Sequence, residues 1–223
     1  MPTWGTFGPN RDESCDMKSV MYHYVREERT DLPYFRYLHV DNFRKQLDYF
    51  SEKFHFLTRE EFFDCLDRRV CMENSIVLTF DDGLSDHFDY VLPELENRGI
   101  WGIFYIATGP LTTGSPLSVH LIHSLLGAYG GTVLLEVLKR VVQSHMLTHG
   151  HVEEFQKLTY PDQSDDLEAT TLSKRILNYF IANEWQRPVI DQILEEMPLT
   201  SLENIYLSGE QISEMHSRGH LIG

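Results

Sequence analysis

Six residues without a charge, Ser75-Ile76-Val77-Leu78-Thr79-Phe80, run straight into Asp81-Asp82-Gly83. The run is apolar and β-branched with no polar alternation, which predicts a strand buried on both faces, as strands inside a parallel sheet are. Phe88, Val91, Leu92 and Leu95 follow at helical spacing, and Asn97-Arg98-Gly99 supplies the stop, with Gly99 suited to the left-handed position after a helix. A second apolar run, Trp101 to Ala107, begins at once. Strand, helix and strand with short connections make a βαβ unit, and its strands pair in parallel. The acid pair then falls at the carboxyl end of its strand, where α/β folds build their sites.

The flanking sequence extends this plan. Residues 1–17 are a polar lead-in, and Val20 to Val25 are apolar enough for a first strand. Val40, Phe43, Leu47, Phe50 and Phe54 recur at spacings of three and four, predicting a helix with Asp41 as its N-cap. Thr58 with Glu61, and Ser208 with Gln211, form capping-box patterns that open two further helices. From about Ser118 to Glu196 the pattern is helical, with stripes at Leu134, Leu138, Val141 and Val142 and at Leu172, Ile176, Tyr179 and Phe180. Thr159 to Asp166 reads as an exposed loop, and His220-Leu221-Ile222-Gly223 as a strand just beginning.

Charge narrows the classes of partner. With 19 Lys and Arg against 34 Asp and Glu in 223 residues, the formal net charge is −15. Nucleic-acid affinity rests on clustered cations, so no nucleic-acid role is expected. No stretch of about 20 consecutive apolar residues is present and the N-terminus has no signal-like run, so no membrane association and a cytoplasmic location are expected. Three cysteines, Cys15, Cys65 and Cys71, show no CxxC spacing and are expected as reduced thiols.

Asp81 and Asp82 are the residues with chemistry in them. Two adjacent carboxylates at a strand end cannot both be desolvated cheaply without a cation or a shared proton. A divalent metal is the simplest compensation, one carboxylate holding the ion while its neighbour accepts a proton from water. The plain alternative is a solvated acidic loop capping the next helix. A phosphotransferase of the haloacid dehalogenase type also starts from a strand ending in aspartates, but it needs them two positions apart.

The string Val77-Leu78-Thr79-Phe80-Asp81-Asp82-Gly83, followed by a helix and Gly99-Ile100-Trp101-Gly102-Ile103-Phe104-Tyr105-Ile106, resembles the first motif of the polysaccharide deacetylase family, the NodB-homology domain. Met21-Tyr22-His23-Tyr24-Val25 resembles that family's first strand. Ser208 to Ile212 and Gly219 to Gly223 resemble the helix and strand that lead into its second motif. The resemblance covers residues 19–107 and 206–223. It implies an α/β fold, an incomplete distorted (β/α) barrel, with first βα units over 18–110, a helical insertion over 111–200 and a closing helix and strand over 201–223. Strands are expected near 19–25, 75–80, 101–107 and 220–223.

By the same resemblance the chain is a metal-dependent hydrolase of N-acylated amino sugars or polysaccharides, with Asp81 the catalytic base and Asp82 a ligand to zinc or another divalent metal. The family's second motif, His-[Ser/Thr]-x-x-His, supplies two more ligands and is not present before Gly223. A truncated domain that binds zinc weakly is therefore expected, with self-association through exposed strand edges. The alternative is a catalytically inactive fragment or binding protein of the same fold.

Histidines inside the chain are the candidate substitutes. His120 and His123 lie at i and i+3, and His145 and His149 at i and i+4, both spacings able to face one metal. His120 and His123 follow the second strand and so start near the rim of Asp82. His23 could approach the site from below, though a hydrogen-bonded core histidine is the simpler expectation. His87 is expected to be a solvated first-turn residue, and Trp101, Phe104 and Tyr105 to be core.

Overall fold

In the computed structural model, the structure describes residues 17–148, 168–199 and 205–223. Residues 1–16 of the lead-in expected over 1–17, the loop over 159–166, His149 and Cys15 lie outside them. The first half runs β1 (Lys18–Tyr22), β2 (Val25–Arg26), β3 (Leu38–His39), α1 (Val40–Lys53), β4 (His55–Phe56), α2 (Arg59–Arg68) and β5 (Ser75–Phe80). After a turn of π-helix at His87–Val91 come α3 (Leu92–Asn97), β6 (Ile103–Phe104), α4 (Thr108–Thr113) and α5 (Ser118–Val141). The chain continues with α6 (Glu168–Arg175), a π turn at Ile176–Phe180, α7 (Asn183–Glu196), α8 (Gly209–Ser217) and β7 (Leu221–Ile222).

The uncharged run takes the place its composition requires. All six residues of β5 are buried. β5 pairs in parallel with β1 on one side and with β4 and β6 on the other, and β6 pairs with β7. The fold is α/β with a parallel sheet, and among the described residues the sheet does not close into a ring. Register stacks the aromatic rings: Tyr22 pairs with Phe80, and Phe80 with Phe104. The Phe80 ring lies 5.6 Å from Tyr22 and 4.7 Å from Phe104, nearly parallel to both. A side chain at Gly102 would meet Phe80 at 2.8 Å, so glycine there makes room for that stack. Phe43 of α1 meets Tyr22 edge-on and is fully buried.

Capping follows the sequence at two helices and departs from it at a third. Thr58 with Glu61 and Ser208 with Gln211 both form complete capping boxes. At α1 the cap is His39, whose Nδ1 accepts from the Asp41 backbone N–H at 3.1 Å, so Asp41 lies inside the first turn. An aspartate is favoured there too, by the helix dipole, which makes the two positions alike in sequence. The second run yields only two strand residues: His220 Nδ1 takes the Gly102 N–H before them, and beyond them single backbone bonds from Tyr105 to Phe80 and from Ile106 to Gly223 carry the chain to the sheet's edge. Tyr105 is accordingly 46% exposed, not core. Cys71 is disulfide-bonded, which corrects the expectation of thiols throughout, while Cys65 is free and buried. Spacing along a chain does not say which cysteines the fold brings together.

The insertion carries its own apolar cluster, built from Leu121, Ile122 and Leu125 of α5 with Val189, Ile190 and Ile193 of α7. Helix α5 is long and apolar enough by composition to cross a membrane, but Gly130 (φ 78°, ψ 164°) breaks it. At 1.5 Å per residue neither half exceeds about 18 Å, short of a ~30 Å hydrocarbon layer. More than half of its most apolar window is buried against the protein.

The ring stack generates a stability prediction. Phe43→Ala should lower unfolding free energy by about 3–5 kcal/mol, the usual cost of deleting a buried aromatic ring. Tyr49→Ala, on the exposed side of the same helix, should change it by less than about 0.5 kcal/mol. Urea unfolding of the two variants beside the parent checks both.

Candidate functional site

The acid pair sits where β5 leaves the sheet. The Asp81 N–H still donates to the Tyr22 carbonyl at 2.9 Å, so Asp81 is the last residue held by the ladder. Asp82 (φ 75°) and Gly83 (φ 64°) then take successive left-handed conformations. That geometry is cheap for glycine and uncommon for aspartate, and it persists only where surroundings enforce it. They do: Leu207 N–H donates to the Gly83 carbonyl and Ser85 N–H to the Ile205 carbonyl, both at 2.8 Å. Segment 205–207 thus clamps the turn from the far side of the insertion, with Leu84 and Tyr206 forming an antiparallel bridge.

Asp82 is engaged by the insertion as well. His120, in the first turn of α5 and buried, places Nε2 3.1 Å from Asp82 Oδ2. Its Nδ1 faces the Tyr206 hydroxyl, whose oxygen also accepts the Leu117 N–H at 3.0 Å. One proton arrangement satisfies the chain: Tyr206 O–H donates to Nδ1, and Nε2–H donates to Asp82. His23 Nε2 lies 3.8 Å from the same carboxylate oxygen.

The two carboxylates therefore differ. The hydrogen bond from His120 holds Asp82 below the usual carboxylate range, against the opposing effect of burial. Burial pushes Asp81 up; His23 opposes the shift and the Asp82 charge adds to it. Asp81 Oδ1 is buried and accepts no hydrogen bond. One carboxylate has a hydrogen-bond donor and stays ionised, while its neighbour is shifted toward taking a proton.

Several histidines depart from expectation. His23 is not a core residue; its side chain is 42% exposed and faces Asp82. His87 is wholly buried, not solvated, with Nε2–H donating to the His23 carbonyl at 2.8 Å. It packs against Phe80 and Phe104, four residues before buried Val91 and so on the same face of the turn. His120 and His123 separate: His123 accepts from the Tyr24 hydroxyl at 3.3 Å and does not join Asp82. His145 packs edge-on against Trp185. Tyr24 is held under Arg26, which makes a buried ion pair with Asp86 at 2.7 Å. Sequence inspection did not reach Tyr206, which carries no motif and lies 86 positions from His120.

Among the described residues no group of three or more His, Cys, Asp or Glu side chains is arranged to hold a metal ion. Asp82 and His120 are donors of the right kind, oxygen and imidazole nitrogen, but a catalytic zinc takes three protein ligands. The described residues do not make that centre by themselves.

No family profile matches the chain, and no curated protein matches it. Solved structures similar to it include a de-N-acetylase from Aggregatibacter actinomycetemcomitans, at 18% identity over 44% of this chain and 39% of that one, with a TM-score of 0.36. IcaB from Ammonifex degensii is 25% identical over 44% of this chain and 41% of that one, with a TM-score of 0.37. The Streptococcus pyogenes deacetylase PplD is 21% identical over 50% of this chain and 53% of that one, with a TM-score of 0.38. The chain spans from about two fifths to about half of these structures. Overlays at such TM-scores carry no functional inference, so the chemistry must come from the site's own geometry.

Buried imidazoles give the site a pH signature. Burial pushes His87 down to about 4, and burial aided by the Lys174 charge pushes His123 down to about 4. Unfolded histidine titrates near 6.5. Between those values the unfolded chain binds more protons, so the stability held by two neutral rings is full above about pH 6.5 and is lost as pH falls toward 4. Asp81 and Asp86, whose carboxyls are raised by burial, oppose this only at the acid end. The urea midpoint should fall steadily from pH 7 to 5, and His87→Phe should flatten that slope whatever it does to stability at pH 7.

Proposed function

We propose that Asp81 and Asp82 form the acid half of a hydrolytic site that removes an acyl group from the nitrogen of an amino sugar or polysaccharide. The observation that carries this is the division between the carboxylates: Asp82 hydrogen-bonded by His120 and held low, Asp81 raised, with a buried oxygen that has no partner. A general base works best with its pKa brought up toward the working pH. Asp81 would take a proton from water as the water oxygen bonds to the acyl carbon, and the carbon–nitrogen bond then breaks with a proton delivered to nitrogen. The sequence resemblance to polysaccharide deacetylases supports the amino-sugar substrate.

Asp82 and His120 would offer two donors to a divalent metal once the imidazole proton sits on Nδ1, donating to Tyr206, and Nε2 is free; no third is arranged with them among the described residues. Two donors alone should bind zinc weakly, since most of the coordination energy comes with the further ligands. A second reading, a binding protein of the same fold without turnover, is favoured by the engagement of Asp82 Oδ2 with His120.

Acetate release from an N-acetylated amino sugar, measured on the whole protein beside zinc content by elemental analysis, separates the roles. Asp82→Asn should lose zinc and activity together, because an amide is a weaker ligand than a carboxylate. Asp81→Asn should keep the metal and lower kcat by roughly 10²–10⁴. Full activity in Asp81→Asn would sink its role as base, and zinc-loaded whole protein that binds the sugar without releasing acetate would establish the second reading.

A further inference from the structure

A cavity of about 590 Å³ has His23 in its wall, and the same side chain faces Asp82 at 3.8 Å, which links the cavity to the acid pair. That volume is in the range of small-molecule sites. Its walls come from three separate stretches: the end of the first strand at His23 and Tyr24, the connection from β2 to β3 at Tyr34, Phe35 and Arg36, and the insertion at His123, Tyr129 and Lys174.

Three glycines of α5 build it. A side chain at Gly127 would strike the Phe35 ring at 2.5 Å, and the Tyr34 N–H donates to the Gly127 carbonyl at 2.8 Å, so the β2–β3 connection is fastened directly to the helix. Gly130 breaks the helix with a positive φ and extended ψ that essentially only glycine adopts, with the Tyr34 ring 3.5 Å from where its Cβ would be. A side chain at Gly131 would run into the backbone of Thr170, so glycine there lets α6 close the far wall. Larger residues at these positions would fill or splay the space.

The lining has a definite chemistry. Tyr24, Tyr34, Phe35 and Tyr129 present aromatic surface. Arg36 and Lys174 bring positive charge, and no Asp or Glu is among the described lining residues, in a chain with 34 acidic residues. Both cations have contacts of their own in the fold, which a ligand would share. Aromatic faces accept the weakly positive C–H face of a pyranose ring, and guanidinium and ammonium groups bind carboxylate or phosphate oxygens.

We propose that this cavity binds a sugar unit carrying a negative charge, carboxylate or phosphate, next to the unit that meets Asp81 and Asp82. Its position relative to a reacting sugar rests on the function proposed above; the binding itself does not. The chain would thus select acidic glycans or sugar phosphates, through the β2–β3 connection and the insertion together.

Calorimetric titration of the 223-residue chain with glucuronic acid, N-acetylglucosamine 6-phosphate, N-acetylglucosamine and inorganic phosphate tests this without turnover. At least one charged sugar should bind about tenfold or more tightly than both N-acetylglucosamine and inorganic phosphate, with an advantage that shrinks as salt rises. The tighter of the two charged sugars identifies the anion. Arg36→Gln should reduce the charge preference, and Tyr34→Ala should weaken every sugar. Tyr34 is 62% exposed, so its truncation leaves the fold intact, which an unchanged circular dichroism spectrum confirms. Equal affinity for neutral and charged sugars, inorganic phosphate as tight as either charged sugar, or sugar binding indifferent to Tyr34→Ala would each overturn the proposal. Failure of acetate release defeats the hydrolytic function and leaves this binding result standing, while loss of the charge preference does the reverse.

Discussion

The Phe80 ring lies between Tyr22 and Phe104, its register partners on the neighbouring strands, and the placement of the acid pair follows from that stack. Parallel pairing puts residues of equal depth side by side, so three aromatic rings at the carboxyl ends of three strands form a floor. Asp81 is the next residue after that floor, still fastened to Tyr22 by a backbone hydrogen bond. A slip of one residue in β5 would reverse which face each side chain meets and carry both carboxylates away from the rim.

Above the floor, the left-handed turn at Asp82 and Gly83 is closed by parts of the chain far from it in sequence. Segment 205–207 supplies two backbone hydrogen bonds, and its Tyr206 reaches His120, which in turn reaches Asp82. The insertion is therefore part of the site's construction. Its first turn sets the ionisation of Asp82, and its glycine-broken middle walls the adjoining cavity.

Electrostatics divides this small region further. A chain of net charge −15 keeps carboxylates at the turn and cations with aromatic rings in the cavity beside it. His23 stands between them, within reach of Asp82 and forming part of the cavity wall. Buried His87 supports the turn from below through its bond to the His23 carbonyl.

Local physics made much of this legible in sequence. The uncharged run had to be a buried strand, Thr58 and Ser208 had to cap helices, and Asp81-Asp82-Gly83 had to leave a strand end, because burial, capping and turn geometry depend on neighbours a few residues away. What the sequence could not decide was set by contacts across tens of residues. His120 took Asp82 while His123 took Tyr24, although their spacing made them equal candidates. Tyr206 joined the site because a strand-like segment returned across the insertion. The opposite protonation tendencies of Asp81 and Asp82, adjacent and chemically identical, arise only once packing buries one carboxylate oxygen without a partner and gives the other a donor.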